Sequence, residues 1–500
     1  MWDFLTAVGG TLLVFALPYF LLMLLGGVLA IRKAAGSLRA QESDVGGGRV
    51  PEGSYTTYFL IPCLNEALVI GQSIERLTAE VADGLIVVID DGSEDGTADV
   101  ARAAADRVGA GERLLVVERT LPMARLGKGE ALNHAFSVVS ADVRERGLDP
   151  RKVILCVLDA DGQLSPGVAN RALTAFEDER VGGVQLIVRI RNRDRWLTQM
   201  QDVEFWCISA TAQFARTYTG TVSLGGNGQF TRLAALRDLE GEVWSQSLTE
   251  DLDLGLRLYA AGWTVTTPPF GFVDQQGVTK LRPLLRQRTR WYQGHMTSIS
   301  RVPELVRSRH LSEGPLLEAI LYLLVPWVIV LPWSIIQQLV IIAPLLEPDR
   351  WFAGAFDENW LVASITWVFW YVLSFLPNVL IGVTYARRTS KVSFLQALLL
   401  GHMMIPYNYV GYAAAWIALF RIITGRRGWS KTPRSTEAPV STPAAGRLSG
   451  ESDSPRPGGD GDAPRGDQTC PGRPRSPRPQ PLPRGHRGHR TAPRHARPDA

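Results

Sequence analysis

The stretch "KVILCVLDADGQL", residues 152–164, joins an apolar run to two carboxylates, Asp159 and Asp161. A continuous apolar run of this length, rich in β-branched residues, predicts a strand that is buried on both faces of a sheet. Three interpretations fit the two aspartates that follow: a metal site for a phosphorylated substrate, half of a calcium loop, or a polar turn after a buried strand.

Further short apolar runs alternate with helical patterns around this stretch. The other predicted strands are "TYFLIPCL" (57–64), "GLIVVID" (84–90), "RLLVVER" (113–119) and "GVQLIVRI" (183–190). Helical patterns cover "NEALVIGQSIERLTAEV" (65–81) and "GTADVARAAADRV" (96–108). This alternation predicts an α/β fold with a mostly parallel sheet. Ligands of such sheets bind at the carboxyl ends of the strands, where both "DDGSEDGT" and "DADG" lie.

Long apolar runs flank this α/β region on both sides. The first, about residues 7–31, carries no charge and is long enough to cross a bilayer. Its basic residues follow it, within 32–39, so we expect an uncleaved anchor with the next domain in the cytoplasm. Three later runs are also predicted to be membrane segments, at about 316–346, 360–385 and 394–420.

The charges between these runs do not fit a simple count of crossings. The acidic loop 347–359 is predicted to be external and the basic loop 386–391 cytoplasmic. One more simple crossing would put the basic stretch 421–434 outside, against its charge. Either the last run is a re-entrant or interfacial hairpin broken near Pro406, or the first run is an interfacial helix plus a span, or two spans.

Composition divides the chain into six segments. They are an N-terminal transmembrane anchor (1–34), a linker (35–54), a cytoplasmic α/β domain (55–310), transmembrane or interfacial helices (311–421), a basic segment (422–434) and a Pro/Arg/Gly-rich tail predicted to be disordered (435–500). The tail holds 11 Arg against 7 acidic residues, so it accounts for the net charge of +4 and gives no reason to expect nucleic acid binding. The four cysteines lack CxxC spacing, which fits a reducing compartment.

Spacing excludes a calcium loop at the two aspartates. An EF-hand needs an oxygen ligand at its fifth position and Glu at its twelfth, where this sequence has Gln163 and Asn170. A phosphatase motif of the DxDGT type would have Thr at Gln163. The remaining functional interpretation is a divalent cation bound by one or two carboxylates and by substrate phosphates, as Mg²⁺ typically is.

Six further motifs accompany this one. In chain order the motifs are "PCLNEA" (62–67), "VIDDGSEDGT" (88–97), "GKGEALNHA" (127–135), "LDADG" (158–162), "GGNGQFTR" (225–232), "LTEDLDLGLRLYAAGW" (248–263) and "QRTRWYQGH" (287–295). Together they resemble the family 2 glycosyltransferases, and more closely the membrane-embedded processive branch with cellulose, chitin, hyaluronan and poly-N-acetylglucosamine synthases. The resemblance covers residues 56–434. It implies a GT-A fold that binds a nucleotide-sugar, usually a UDP-sugar, with Mg²⁺ or Mn²⁺.

The resemblance implies that the nucleotide base binds where the first two strands end. Glu66, Asp90 and Asp91 match residues beside the base, and Asp91 is the favoured contact to the uridine. For Asp90, a turn cap before Gly92 is the alternative.

The resemblance further implies that basic residues and a metal ion bind the diphosphate. Lys128 and Arg290 match basic residues near it, since lysine offers a point charge and arginine a planar fork. A solvated lysine in a Gly-x-Gly loop is the alternative for Lys128. Asp159 and Asp161 match the metal motif, because a cation offsets the charge that develops on the leaving nucleoside diphosphate.

Asp251 matches the general base of the family. An inverting transfer needs one carboxylate to take the proton from the acceptor hydroxyl. Asp251 lies just ahead of the amphipathic pattern at 252–262, where a purely structural acidic cap is the alternative. Its neighbours Glu250 and Asp253 are not expected to act as the base.

The Q-x-x-R-W signature supplies two candidate acceptor contacts, Gln287 and Trp291, beside the diphosphate candidate Arg290. Gln287, Arg290 and Trp291 fall within about one helical turn, so they are expected to face one cavity. Trp291 offers an aromatic face to a sugar ring. A membrane-surface anchor is the alternative for this tryptophan.

Two other segments add candidates through the resemblance. Asn227 belongs to a segment similar to one near the acceptor. The segment "WSKTPR" (429–434) resembles the gating loop that closes over the nucleotide in processive members, so Lys431 and Arg434 would contact phosphate. An ordinary basic flank after a membrane segment is the alternative.

These inferences predict an inverting β-glycosyltransferase of the plasma membrane, multi-pass, with its catalytic domain in the cytoplasm. It would extend a polysaccharide from a UDP-sugar and export the product, with possible export subunits left open. Its partners are then the UDP-sugar, a polysaccharide or glycolipid acceptor and the lipid bilayer. The alternatives are single-sugar transfer to a lipid carrier and a nucleotide-binding export component without catalysis.

Overall fold

The structure is a computed structural model of the chain. It describes residues 22–23, 25–30, 32, 53–81, 83–269, 271–341, 346, 359–389 and 392–426. Most of the predicted anchor and linker, the basic segment beyond residue 426 and the whole tail lie outside the described residues. The expectations for those segments therefore stay predictions.

Ten strands form two sheets within the described residues. They are β1 Thr56–Cys63, β2 Leu85–Asp90, β3 Leu114–Glu118, β4 Val153–Val157, β5 Gln163–Leu164, β6 Val181–Gln185, β7 Ile187–Ile190, β8 Gln229–Arg232, β9 Thr264–Thr266 and β10 Phe272–Gln275. The larger sheet has the order β3-β2-β1-β4-β8-β6-β9 and the smaller one β5-β10-β7. In the larger sheet only β8 is antiparallel to its neighbours, β4 and β6. The predicted α/β fold with a mostly parallel sheet is confirmed.

Helices connect the strands and continue beyond the sheet. The α-helices with described bounds are α1 Ala67–Glu80, α2 Thr97–Arg107, α3 Lys128–Glu145, α4 Val168–Thr174, α5 Trp196–Val203, α6 Ala210–Arg216, α7 Leu233–Arg237, α8 Glu250–Ala260, α9 Leu281–Thr297, α10 Val302–Arg307, α11 Glu313–Leu324, α12 Leu331–Ile341, α13 Trp360–Arg388 and α14 Phe394–Ile423. Short 3₁₀ turns cover Gly111–Arg113, Pro150–Lys152, Ala175–Glu177 and Ser298–Arg301, and π-helical turns cover Glu204–Ser209 and Val325–Val330.

Both faces of the larger sheet are covered, as the apolar runs predict. Strand β4 is buried at every position. On one face Leu60 and Leu155 pack with helix α3, and on the other Phe59, Ile61 and Ile154 pack with α1 and α2. Each fully buried aliphatic or aromatic side chain contributes about 1.5–3 kcal/mol. This packing fixes the strand ends from which the polar motifs project.

The predicted strand 183–190 is two strands in two different sheets. The break falls at Leu186, just after Gln185 ends β6. The buried Gln185 side chain donates to the carbonyl oxygens of Leu186 at 2.9 Å and Asn227 at 2.7 Å. The Leu186 N–H donates to the Gly228 carbonyl at 2.9 Å, so β6 stays in the larger sheet while β7 enters the smaller one. An unbroken apolar run could not reveal this change of sheet.

Beyond the α/β domain, one helical run among the described residues is long and apolar enough to cross a membrane. It covers Glu313–Gln338, and 28% of its most apolar 18-residue stretch is buried inside the protein. The pair Trp360–Val372 and Ser374–Arg388 would be a second one if it forms a single span. Helix α14 is not among these candidates. Where the structure describes them, the three predicted membrane segments form helices, while their insertion in a bilayer stays a prediction.

Prolines act differently in the two longest helices. Helix α13 bends by 53° between Val372 and Ser374. The ring of Pro377 explains the position, because proline clashes with the carbonyl four residues earlier and lacks an N–H. Helix α14 instead runs unbroken through Pro406. The alternative of a hairpin broken near Pro406 is therefore wrong.

Helix α9 approaches the start of helix α8 at a glycine. A Cβ atom on Gly294 would lie 2.5 Å from both Oγ1 and Cγ2 of Thr249, the residue that precedes α8. Real Cβ atoms do not come this close, so only glycine permits the contact without a shift. Arg290 lies one turn before Gly294, and this contact therefore brings Arg290 towards the first turn of α8.

We expect Gly294→Ala to lower the melting temperature, because overpacking of a close contact costs about 1–3 kcal/mol. The matched control is Gly314→Ala in helix α11, where an added Cβ would meet nothing within 4 Å. Thermal unfolding of both variants in detergent checks the expectation. Equal melting temperatures for the two variants would contradict the close contact.

Candidate functional site

The polar turns after β1 and β2 are tied to each other. The Glu94 N–H donates to Asn65 Oδ1 at 2.8 Å, and the Ala67 N–H donates to Asp95 Oδ2 at 3.0 Å. The Glu66 N–H donates to Thr97 Oγ1 at 2.9 Å. The structure thus brings the predicted base-binding residue Glu66, which is buried, beside the acidic turn that starts at Asp90.

Asp90 and Asp91 have different surroundings within that turn. Asp90 Oδ1 accepts the Ser93 N–H at 2.8 Å, so the turn cap considered for Asp90 is present. Asp91 is buried and forms an ion pair with Arg119. Burial raises the pKa of the Asp91 carboxyl, against the opposing backbone N–H of Arg125 and the charge of Arg119.

Arg119 is a neighbour of Asp91 that was not among the predicted site residues. Asp90 pairs with Glu118 in the parallel register of β2 and β3, so the next residues, Asp91 and Arg119, leave the sheet side by side. The signal was available, because Arg119 ends its predicted strand as Asp91 follows its own. An arginine in this position holds the Asp91 side chain in place.

A glycine lets side chains from three elements meet. Lys128 begins helix α3, Asp159 follows β4 and Asp251 lies in the first turn of α8. The Lys128 amine donates to Asp159 Oδ1 at 2.8 Å and to the Gly226 carbonyl at 3.0 Å. Gly226 has a φ of +68°, and a Cβ there would lie 2.9 Å from Asp251 Oδ2 and 3.2 Å from Lys128 Nζ. The predicted diphosphate, metal and base residues therefore share one location, which we call the Lys128 cluster.

Acidic neighbours determine the charge of Lys128. Burial acts to lower the pKa of its amine, but three nearby carboxylates outweigh burial and raise that pKa above its ordinary value. These carboxylates belong to Asp159, Glu250 and Asp251. The lysine is therefore positively charged at neutral pH.

Glu250 and Asp251 are adjacent acids in a confined place. Burial raises the pKa of the Asp251 carboxyl, while Lys128 and the Leu252 N–H, 2.7 Å from Oδ1, act in the opposite direction. For Glu250, burial and then the charge of Asp251 raise the pKa to about 7. The positive charge of Arg290 lowers the pKa of both acids. Each acid therefore keeps its proton to a higher pH than an exposed carboxyl does.

The two aspartates of the D-x-D motif differ in exposure. The side chain of Asp159 is 30% exposed, whereas Asp161 is 1% exposed. Asp161 Oδ2 accepts the Gln276 N–H at 2.9 Å, and the Arg191 side chain donates to the Asp161 carbonyl at 2.6 Å. Asp159 therefore faces the Lys128 cluster, while Asp161 holds the turn in place.

Asn227 lies beneath this turn and is 2% exposed. Its Oδ1 accepts the Asp159 N–H at 3.1 Å, and its Nδ2 donates to Gln275 Oε1 at 3.0 Å. These contacts support the backbone of the D-x-D turn. The predicted role of Asn227 in acceptor binding stays a prediction.

The donor set at Asp159 fits a divalent cation shared with a diphosphate. Among the described residues, no three or more His, Cys, Asp or Glu side chains are grouped to hold a metal ion by themselves. Mg²⁺ needs fewer protein ligands, because it keeps waters and binds substrate phosphates. The partly exposed Asp159 carboxylate already contacts an ammonium group, so the position suits a positive charge.

The Q-x-x-R-W residues do not share one set of contacts. The charge of Arg290 acts on the acids of α8, whereas Gln287 Oε1 accepts a hydrogen bond from Arg288 at 3.1 Å. Trp291 meets Phe205 edge to face at 6.0 Å. Adjacent positions on a helix are rotated by about 100°, which separates Arg290 from Trp291.

The predicted gating residues, Lys431 and Arg434, lie outside the described residues. The described chain ends at Arg426, whose carbonyl accepts a hydrogen bond from Gln293 of helix α9 at 2.7 Å. Arg426 therefore lies next to the helix that carries Arg290.

Comparison with known proteins agrees with this geometry. Residues 54–294 match the family described as "Glycosyltransferase like family 2". The beta-monoglucosyldiacylglycerol synthase of Trichormus variabilis is 31% identical over 241 residues, which cover 47% of this chain and 48% of that protein. The poly-beta-1,6-N-acetyl-D-glucosamine synthase of Staphylococcus aureus (strain COL) is 25% identical over 239 residues, which cover 47% and 53%.

A solved structure is also similar. The mannosyltransferase PcManGT from Pyrobaculum calidifontis, in complex with GDP-Man and Mn²⁺, has 18% identity and a TM-score of 0.46, covering 83% of this chain and 99% of that one. The chain spans about half the length of the two curated relatives. The family match confirms the prediction of a glycosyltransferase domain: residues 54–294 form a family 2 glycosyltransferase domain.

Proposed function

We propose that the chain is an inverting β-glycosyltransferase that moves a hexose from a UDP-sugar to an acceptor hydroxyl. One observation carries the proposal: the Lys128 amine joins Asp159 at 2.8 Å and lies beside Asp251 across Gly226. Sugar transfer from a nucleotide needs a positive charge at the diphosphate, a carboxylate for a cation and a carboxylate for a proton. The family of residues 54–294 supports the same reaction.

In this proposal Asp251 takes the proton of the acceptor hydroxyl. Burial makes its carboxylate more basic than that of an exposed aspartate, and the start of helix α8 favours its ionised form. The acceptor oxygen attacks the anomeric carbon opposite the diphosphate. The bond from that carbon to the phosphate oxygen breaks as the new glycosidic bond forms, which inverts the configuration.

The leaving nucleoside diphosphate would be held by the positive charges of Lys128 and Arg290. A Mg²⁺ or Mn²⁺ ion held by Asp159, with Asp161 in support, would supply further charge neutralisation at the diphosphate. Asp91, fixed by Arg119, is proposed to contact the uridine. The other proposed contacts are Glu66 and Asp90 to the nucleotide, Gln287, Trp291 and Asn227 to the acceptor, and Lys431 and Arg434 to phosphate.

Two acceptor classes are compatible with the Lys128 cluster. Extension of a polysaccharide across the plasma membrane, by a multi-pass protein with a cytoplasmic domain, is supported by the Q-x-x-R-W helix and the apolar helices beside it. Single transfer to a lipid hydroxyl is supported by the relative named as a glucosyldiacylglycerol synthase, the more similar of the two curated relatives. A polymer product would contain many sugars and a lipid product one, so product mass separates these candidates.

We expect Asp251→Asn to reduce transfer by about 10²–10⁴-fold, because an amide cannot accept the acceptor proton. UDP binding should persist, since Asp251 is proposed to contact only the acceptor side. Release of UDP by purified protein with a panel of UDP-sugars measures transfer, and calorimetry measures binding.

The matched control for this substitution is Asp99→Asn. Asp99 also lies in the first turn of a helix, α2, but its side chain is 87% exposed. This variant should transfer at the wild-type rate. Wild-type turnover by Asp251→Asn would remove Asp251 from the mechanism.

We expect Lys128→Met to move the acidic limb of the kcat profile to higher pH. The Lys128 charge lowers the pKa of Asp251, so its removal leaves the base protonated up to a higher pH. Lys128→Arg keeps the charge and should leave the limb near its wild-type position. The pH profile of kcat is measured at saturating UDP-sugar. If the acidic limb of Lys128→Met stays in place or moves to lower pH, the Lys128 charge does not control the pKa of Asp251.

A further inference from the structure

A buried arginine links helix α9 to two other elements. The side chain of Arg288 is 5% exposed and donates to Glu204 Oε2 at 2.7 Å. The Tyr407 hydroxyl donates to the same oxygen at 2.6 Å. Glu204 begins a π-helical turn and Tyr407 belongs to helix α14, so one carboxylate connects three helical segments. We call Arg288, Glu204 and Tyr407 the Glu204 triad.

The guanidinium of Arg288 also packs against aromatic rings. It lies 4.2 Å from the ring centroid of Trp291 and 5.3 Å from that of Phe205. The two rings meet edge to face at 6.0 Å. Arg288 therefore covers one face of the Trp291 indole, and a sugar ring could stack only on the other face.

The local helix geometry explains this arrangement. Arg288 and Trp291 are three residues apart, so they lie on the same side of helix α9. The π-helical turn Glu204–Ser209 departs from regular α-helix just where Glu204 and Phe205 meet Arg288 and Trp291. Planarity matters here, since a guanidinium can stack on a ring and bind a carboxylate at the same time, whereas an ammonium cannot do both in the same way.

We infer that Arg288 and Glu204 are positioning residues that hold the Trp291 indole for the acceptor sugar. This inference rests on the proposed function, because it assigns the acceptor side of that same site. The Tyr407 bond makes the position of Trp291 dependent on helix α14. Substitutions in the triad should consequently affect acceptor use more than donor use.

The test is a double-mutant cycle of Arg288→Lys and Trp291→Ala. Lysine keeps the charge near Glu204 but removes the planar face from Trp291. We expect Arg288→Lys to raise the KM for acceptor by about tenfold, with little change in the KM for UDP-glucose. Cellobiose and diacylglycerol in mixed micelles serve as acceptor probes. In the Trp291→Ala background Arg288→Lys should have little further effect, because it acts through that ring.

Two controls keep the outcome interpretable. Arg286→Lys changes an exposed arginine on the same helix and should leave both KM values unchanged. Glu204→Gln is preferred to Glu204→Ala, because glutamine keeps the side-chain size, whereas alanine would leave Arg288 buried without a partner. Glu204→Gln should reproduce the raised KM for acceptor.

The outcomes separate the inference from the proposed function. Absence of sugar transfer by the wild type with every UDP-sugar and acceptor probe would refute the proposed function. If the wild type is active, additive effects of Arg288→Lys and Trp291→Ala, or an Arg288→Lys variant with normal acceptor KM, would refute the positioning role.

Discussion

The ion pair between Lys128 and Asp159 is the contact on which the arrangement of the Lys128 cluster depends. It joins the start of helix α3 to the end of strand β4, and the same amine binds the Gly226 carbonyl of the loop beside Asp251. Three segments that are far apart in sequence are thereby held at one edge of the sheet. Without a positive charge here, the carboxylates of Asp159, Glu250 and Asp251 would repel each other in a confined space.

Much of the fold could be predicted from periodicity, because each central strand is a short β-branched run and each flanking helix has a 3.6-residue pattern. The runs at β1, β2 and β4 became strands within one or two residues of their predicted bounds. The division of the predicted strand 183–190 into β6 and β7 could not be predicted from the sequence, because it depends on hydrogen bonds between Gln185 and a loop 40 residues away. Such tertiary contacts leave no periodic signal.

The residues of the candidate site could be predicted from motifs about as well as the strands could be predicted from periodicity. Strand ends and family resemblance identified Lys128, Asp159 and Asp251, and these residues are together in the structure. Arg288 could not be recognised from the sequence, because its partner Glu204 lies on another element. Arg119 could have been recognised, because the parallel register of β2 and β3 places it beside Asp91. The D-x-D spacing does not distinguish Asp159 from Asp161, although Asp159 belongs to the Lys128 cluster and Asp161 holds a buried turn. Burial of individual polar atoms is set by the whole fold and is not readable from spacing.

Helix α9 connects the proposed donor contact Arg290 with the proposed acceptor contact Trp291. Helix α9 carries Arg290 towards the acids of α8 and Trp291 towards the Glu204 triad, so a small shift of this helix would alter both sides together. Gly294 packs against Thr249 in the last turn of α9, and Arg288, six residues earlier on the same helix, binds Glu204. The apolar helix α14 contacts the same unit through Tyr407. The proposed acceptor and donor contacts would then share one helix.

The most direct measurement is the affinity of UDP for the purified protein with and without Mn²⁺, compared between the wild type and Asp159→Asn. If Asp159 binds a cation that is shared with the diphosphate, Mn²⁺ should tighten UDP binding to the wild type by at least about tenfold. The same addition should have little effect on Asp159→Asn. Equal UDP affinity with and without Mn²⁺ in the wild type, or an undiminished Mn²⁺ effect in the variant, would contradict the assignment of the site.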